Sequence, residues 1–581
     1  MLPHQQTQQK NILRYHAIIG ILIFFALILI GRIVYLTIFN RAFLQNQGDM
    51  RAMRDIEIPA NRGMILDRNG YPLAISTPVA TAWTDPASFD LDNPELITLA
   101  KYLGISTDQL KNHISQNKHR SFLYLKRGLD PTVGMQIKNL NIPGVYLQQE
   151  YRRFYPEGEV TAHILGFTNI DDHGQEGLEL AYNTWLMGEP GKTQVLKDRF
   201  GHVVADLKLI KPAVPGHNLV SSIDRRIQFV AYQALQAGVD KYHTKAGTAI
   251  VMDVKTGEIL ALVNSPSYNP NNRPEKHGEV YRNRALTDIY EPGSVMKTFS
   301  MVSALASGQY KSNSTVNTAP GFIIVGGHKV SDEHNLGLID VATVLGKSSN
   351  VGMTKITLSL PYERLWQTFH AFGFGAPTES SFPGESTGAL RNENPWHAFA
   401  LATMSWGYGL SVTPIQLARA YGALGNNGVL LPISLVKINT PPKGQEVVSP
   451  LIAKQILDLL ESVIYGPGGT APLAKVPGFR VTGKTGTAYL LNGHTYTKTH
   501  RNGTFVGLVP AKNPKILVLV VLYDLSGKKN LAGYTAGPIF AKIAGSALHL
   551  LGTLPDDASP DTAPPEEGQA ISALDAAQAI D

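Results

Sequence analysis

The chain has 581 residues, more than one compact domain normally holds, so at least two folded units with their own cores are expected. Charged residues are 17% of the chain, the formal net charge is +6 and the pI is near 9.0. No Lys/Arg block is long enough to line a nucleic-acid groove, which sets nucleic acid aside as a partner. The absence of cysteine excludes disulfides, thiolate chemistry, Cys-based zinc sites and a lipidated amino-terminal Cys.

The first element in the chain is apolar. The stretch from Ala17 to Phe39 makes about 34 Å of helix, enough to span a bilayer. No small-residue cleavage site follows it, so residues 17–39 are expected to be an uncleaved anchor. Lys10 and Arg14 precede the span, and Arg41, Arg51 and Arg54 follow it, so flanking charge does not set the orientation. Long following domains translocate regardless of such charges. The expectation is therefore that residues 1–16 are cytoplasmic and that the remainder lies outside. Arg32 sits in the outer part of the span, where it either snorkels or meets a polytopic membrane partner.

From residue 40 to 217, short β-patterned runs alternate with turn signals such as Asn69-Gly70 and Glu189-Pro190-Gly191, with a helical stretch from Pro94 to Lys118. This region reads as a β-rich mixed module. A different texture begins at 218. Helical patterns at Asp224 to Val239, Ser294 to Ala306, Thr413 to Leu424 and Pro450 to Tyr465 are flanked by apolar strands. Those strands are Thr248 to Asp253, Glu258 to Asn264, Thr504 to Val509 and Lys515 to Tyr523. Strands clustered at both ends predict one α+β domain over 218–554 whose sheet joins distant parts of the chain. The remainder, 555–581, has seven carboxylates and no Lys or Arg, and is expected to be unstructured.

Three short patterns bear on chemistry. Ser-x-x-Lys occurs four times, at Ser115–Lys118, Ser294–Lys297, Ser434–Lys437 and Ser526–Lys529. Composition alone predicts about two occurrences. Only Ser294 follows a turn, Glu291-Pro292-Gly293, and opens a helical apolar run. That places its hydroxyl at a helix amino terminus with Lys297 one turn along the same face. A neutral lysine there can take the hydroxyl proton once burial lowers its pKa. Ser-x-Asn occurs at Ser115–Asn117, Ser267–Asn269 and Ser348–Asn350. Lys-Thr-Gly occurs at Lys255–Gly257, where a hairpin turn is expected, and at Lys484-Thr485-Gly486-Thr487. The second copy lies in a strand-like run whose glycines admit a close ligand. In order, Ser294, Ser348 and Lys484 form a joint signal much stronger than any one of them.

Two competing motifs fail on context. Gly478 to Thr485 matches a P-loop, but Pro477 precedes it and strand-like residues follow where a helix should open. Gly384-Glu385-Ser386-Thr387-Gly388 matches a nucleophile elbow but is flanked by Pro383 and Asn392-Glu393-Asn394-Pro395, as in a surface turn. No metal-ligand cluster and no cofactor motif is present in the sequence.

With these residues assembled, the sequence resembles the class B penicillin-binding proteins, in particular the division-specific septal transpeptidases of Gram-negative bacteria. Beyond the three motifs, the resemblance rests on Arg62 to Gly70, Glu176 to Glu179, Thr256 to Ala261, Pro266 to Pro270, Glu291 to Ser294, Lys347 to Gly352 and Ser405 to Gly409. It departs at Met296, where relatives carry a smaller residue. It implies a penicillin-binding, serine β-lactamase-like transpeptidase domain, an antiparallel sheet flanked by helices, behind a pedestal of the dimerisation-like type at 40–217. The roles it implies are Ser294 as nucleophile toward D-alanyl-D-alanine, Lys297 as base and Ser348 as proton relay. Asn350 would bind the donor amide. Lys484 would stay positive and bind the substrate carboxylate with Thr485 and Thr487, and the N–H groups of Ser294 and Thr487 would form an oxyanion hole. Gly486 would allow close approach.

The implied partners are peptidoglycan stem peptides, the lipid-linked precursor, β-lactams, a polytopic glycosyltransferase and other division proteins. The implied location is the inner membrane at the division site, with the catalytic domain periplasmic. No Glu-x-x-x-Asn lies between Asn350 and Lys484, so slow hydrolysis of the acyl-enzyme is expected. The alternatives are an elongation-type transpeptidase, or a scaffold or sensor that binds penicillin without catalysis.

Overall fold

A computed structural model describes residues 4–44, 53–197, 203–273, 278–392, 397–493, 495–527, 530–557, 559, 562 and 564–565. Among the described residues, one helix is long and apolar enough to cross a membrane, with Ile12–Phe39 as its candidate span. Within it the Arg32 guanidinium lies over the Tyr35 ring at 5.4 Å.

The chain divides into two compact units that interleave along the sequence, so the expected boundary at 217 is not where contacts divide it. The first unit takes 1–61, 78–151 and 188–215; the second takes 62–77, 152–187 and 216–581. In the first unit, an antiparallel sheet pairs Met53–Ile58 with Gly191–Lys197 and the latter with Val203–Lys211. A separate small core forms around Leu96, Leu99, Leu110, Ile114 and Ile137. The helical stretch expected from Pro94 to Lys118 is two helices, Leu96–Leu103 and Thr107–Gln116. They break at Gly104, whose φ of 69° suits a left-handed cap, and restart at Ser106 in a capping box with Gln109.

The second unit is built on a five-stranded antiparallel sheet. Its strands are β1 (Ala246–Asp253), β2 (Ile259–Ser265), β3 (Thr482–Asn492), β4 (Thr495–Val509) and β5 (Ile516–Ser526), in the order β2-β1-β5-β4-β3. All four predicted strands are present, and Lys255-Thr256-Gly257 is the β1–β2 turn. The helices of this unit include α1 (Arg225–Tyr242), α2 (Lys297–Ala306), α3 (Asn350–Leu358), α4 (Pro414–Gly425) and α5 (Ala532–Leu550), of which α1, α4 and α5 pack on the sheet. Residue parity along the strands shows how. A side chain at Gly247 would strike Leu235 and Val239 of α1, and one at Gly507 would strike Phe540 of α5. Met252 and Leu508, of opposite parity, meet Gly422 and Gly425 of α4. With both faces covered, β1 as far as Met252, β2 and most of β5 are buried without alternation and largely apolar. Each fully buried Val, Leu or Ile contributes about 1.5–3 kcal/mol, so this stack holds the unit together.

Arg62 and Glu179, both from motifs singled out in the sequence, meet inside the same unit. Glu179 accepts from Arg62 at 2.8 Å and from Arg153 at 2.6 Å, all three groups being buried. Arg62 also bonds Asn183 and the Asp172 carbonyl. The carboxyl of Asp172 is pushed up to about 6 by burial, with Arg62 and Arg153 opposing.

At the other end, Pro555 to Asp557 were expected to be unstructured. Instead the Asp556 N–H donates to the Gly478 carbonyl, and the Asp556 carboxylate accepts from the Arg480 N–H at 3.2 Å. Arg480, which also pairs with Glu461, places its Nε 3.8 Å from the Asp557 carboxylate and so supplies counter-charge to the acidic segment. Residues 566–581 lie outside the described residues.

Removing one member of a buried ion network strands the others. Glu179→Ala, which leaves two buried guanidiniums without their shared carboxylate, is expected to cost about 3–5 kcal/mol. The measurement is thermal unfolding of the purified protein, and an unchanged midpoint would show that the network does not stabilise the unit.

Candidate active site

Gly293 turns the chain into the site. Its φ is 62°, its N–H donates to the Gly407 carbonyl at 3.0 Å, and a side chain on Gly407 would lie 2.0 Å from the Gly293 carbonyl oxygen. Only glycine tolerates both contacts. Ser294 follows in a short 3-10 turn, Gly293–Met296, and the α-helix itself begins at Lys297. The expected helix opening is therefore displaced by one turn: Ser294 stands just ahead of α2 instead of within its first turn. Tyr421 of α4 donates to the Val295 carbonyl at 2.7 Å and fixes this turn from behind.

Lys297 is fully buried, and its Nζ reaches four oxygens. It bonds Ser294 Oγ at 3.1 Å, Ser348 Oγ at 3.2 Å, Asn350 Oδ1 at 2.7 Å and the Ser348 carbonyl. Ser348 Oγ also accepts from Lys484 Nζ at 3.1 Å. Five of the eight residues proposed from sequence thus form one connected set. Burial lowers Lys297 to about 7, against the opposing charges of Asp332 and Glu333. Lys484, also fully buried, is driven well below the usual lysine range by burial and by the charge of Lys297. The resemblance implied a positive Lys484; two buried ammonium groups sharing one hydroxyl oppose this, and a substrate carboxylate is the partner that would restore the charge.

Lys484 to Thr487 lie on β3, the edge strand, where alternate N–H groups face away from β4. A side chain at Gly486 would lie 2.7 Å from the Pro292 carbonyl oxygen, so glycine lets the strand close on the nucleophile turn. A side chain at Gly293 would in turn come 3.5 Å from the Thr487 carbonyl carbon. The Thr487 backbone is thus beside Ser294. Thr485 is turned differently: its hydroxyl bonds Thr470 at 2.8 Å.

Asp332 organises the second motif, and sequence reading missed it. Its carboxylate accepts from the Asn350 N–H, the Val351 N–H at 3.0 Å and the Ser349 hydroxyl. Ser349 Oγ in turn accepts from the Gly352 N–H. Together these groups satisfy the open amino terminus of α3. The chain just before the helix is bent so sharply that Ser348 has a φ of 58°, a left-handed conformation uncommon outside glycine. Asp332 precedes the motif by 16 residues in a hairpin exit, and no local spacing marks it. Ser115–Lys118 and Ser434–Lys437 do not join the set, Lys529 lies outside the described residues, and Lys484 lies in a strand with no helix at its end, which removes the P-loop reading.

Residues 247–545 match the family described as the penicillin binding protein transpeptidase domain, and residues 57–221 match the penicillin-binding protein dimerisation domain. The chain belongs to the class B penicillin-binding proteins. Among class B relatives, the probable peptidoglycan D,D-transpeptidase PbpC of Pseudomonas aeruginosa is 39% identical over 551 residues, 95% of this chain and 97% of that protein. The peptidoglycan D,D-transpeptidase FtsI of Escherichia coli is 37% identical over 561 residues, 95% of each. A solved peptidoglycan synthetase from Bifidobacterium adolescentis superposes with a TM-score of 0.69 at 26% identity, covering 88% of this chain and 99% of that one. The penicillin-binding fold expected from sequence is therefore the fold observed.

The charge of Asp332 raises the pKa of Lys297. Asp332→Asn should move the Lys297 titration below its wild-type midpoint near 7, read from side-chain chemical shifts of labelled lysine against pH. An unmoved midpoint would show that Asp332 acts on the loop alone.

Proposed function

We propose that Ser294 is the acylated nucleophile of a peptidoglycan D,D-transpeptidase acting at the division septum, and that the connected set of Ser294, Lys297, Ser348 and Lys484 performs the proton transfers. That set is the observation that carries the reading. Lys297, neutral above about pH 7, takes the Ser294 proton across 3.1 Å as Oγ attacks the carbonyl between two D-alanines. The oxyanion forms beside the N–H groups of Ser294 and Thr487; in other enzymes the loss of one such donor costs about 3–4 kcal/mol. As the C–N bond breaks, the proton returns from Lys297 through Ser348 Oγ to the leaving amine of the terminal D-alanine. An amine of a neighbouring stem peptide then attacks the ester and frees Ser294.

Ser348 suits the relay because it touches both lysines. Lys484 receives the substrate carboxylate with Thr487, and Thr485 joins by exchanging its bond to Thr470. Asn350 holds Lys297 through Oδ1, gives one amide N–H to the Ser331 carbonyl at 3.3 Å and offers the other to the donor peptide. A β-lactam carries a carbonyl and a carboxylate in one rigid frame and acylates the same hydroxyl.

The Ile12–Phe39 helix, together with the likeness to FtsI, supports a single-pass inner-membrane protein, read with its amino terminus inside and the transpeptidase domain in the periplasm. Arg32 is read as meeting a polytopic glycosyltransferase of the division machinery. Arg32→Leu is then expected to reduce co-purification with that membrane partner while leaving penicillin labelling intact; undiminished co-purification removes the partner.

Labelling with a fluorescent penicillin followed by peptide mapping tests the site. The adduct is expected on Ser294, and Ser294→Ala is expected to lose both the adduct and cell constriction. An adduct on another serine overturns the assignment. Because the base works in its neutral form, the acylation rate should fall as pH is lowered through about 7. A rate flat across that range would remove Lys297 as the base.

A further inference from the structure

Three residues before Ser294, Glu291 stands in an aromatic setting without a basic partner among the described residues. Its Oε1 accepts from the Gly409 N–H at 2.9 Å and from the Tyr496 hydroxyl at 3.1 Å. No described hydrogen bond engages Oε2, and no described ion pair engages the carboxylate. Tyr496 packs edge to face on Tyr408 at 5.1 Å, and Tyr408 packs on Trp406 at 5.1 Å. The Tyr408 hydroxyl accepts from the Tyr489 N–H on β3 at 3.0 Å. Tyr489 and Tyr496 are 41% and 45% exposed, so a ligand can reach them. Arg501 faces Tyr489, but its guanidinium bonds the Gly527 carbonyl and does not neutralise Glu291. An anion held against tyrosine faces is the environment that binds an ammonium group.

Position along the strand identifies whose ammonium. Tyr489 lies four residues beyond Thr485, about 13 Å along an extended strand. If the donor peptide anchors its terminal carboxylate at Lys484 and Thr485 and runs along β3, the residue preceding the two D-alanines is about 7 Å further on. A side chain of four or five atoms on that residue spans about 6 Å, so its terminal amine can reach from beside Thr487 as far as Tyr489. We infer that Glu291, Tyr408 and Tyr496 form a subsite for the side-chain ammonium of the diamino acid in the donor stem. This inference rests on the proposed transpeptidase reading and names the part of the donor that the reading leaves open.

The test uses the full-length enzyme in detergent and two thioester donors that differ only in that side chain, one bearing a free ε-ammonium and one acetylated. Fluorescent penicillin labelling of Ser294 in the same preparation reports separately on the underlying reading. Wild type is expected to prefer the free ammonium by about tenfold in kcat/KM, the size of one charged hydrogen bond. High salt should shrink that ratio, as it does for exposed ion pairs. Glu291→Gln retains an acceptor for Gly409 and should bring the ratio within about twofold of unity. Because each ratio is internal to one preparation, partial misfolding cancels. Equal rates on both donors in wild type, or a tenfold preference surviving in Glu291→Gln, overturn the subsite while penicillin labelling of Ser294 stands. Failure of labelling in wild type overturns the transpeptidase reading itself.

Discussion

Two lysine side chains buried beside a single hydroxyl impose the main constraint on this protein. Lys297 and Lys484 are removed from water, and both reach Ser348 Oγ. A charged amine in such a place is disfavoured, so burial itself favours neutral lysine, the form that the proposed base for Ser294 needs. The constraint spreads outward. α2 must deliver Lys297, β3 must deliver Lys484, and the bend ahead of α3 must hold Ser348 in a left-handed conformation between them. Each of the three comes from a different part of the fold, and the packed sheet and helices hold them together at hydrogen-bond distance.

Asp332 resolves an otherwise awkward local problem. A serine with positive φ beside a helix start leaves several N–H groups without partners, and one carboxylate satisfies them. The same charge opposes the fall in the Lys297 pKa. One side chain therefore ties the geometry of the second motif to the proton affinity of the first.

Much of this was legible beforehand. The strands of the sheet core could be read because both faces are covered and their apolar runs are unbroken. The helices at 225–242 and 414–425 could be read because Asp224 and Thr413 announce their starts. Ser294, Lys297 and Ser348 stand out because their patterns fall in order along the chain, and the fold brings them within hydrogen-bond distance. What could not be read depended on contacts distant in sequence. Asp332 carries no spacing signal, the docking of Asp556 depends on Arg480, and the interleaving of the two units depends on where segments 62–77 and 152–187 pack. The start of α2 was misplaced by one turn because a 3-10 turn and an α-helix share the same apolar pattern over four residues.

Strand order has a consequence for how the chain is made. β1 pairs with β5, which lies some 270 residues later, and β4 and β3 join the sheet only through β5. While synthesis proceeds from the amino terminus, the β1–β2 hairpin has an open apolar edge until residues 516–526 emerge. No vectorial, stepwise closure of the sheet is possible, because its central strand arrives nearly last. The long loop must be closed in a single late event, which slows folding and prolongs exposure of an unpaired edge. The unit that ends as one tightly packed layer therefore depends on being kept unfolded, and unaggregated, until almost the whole chain is available.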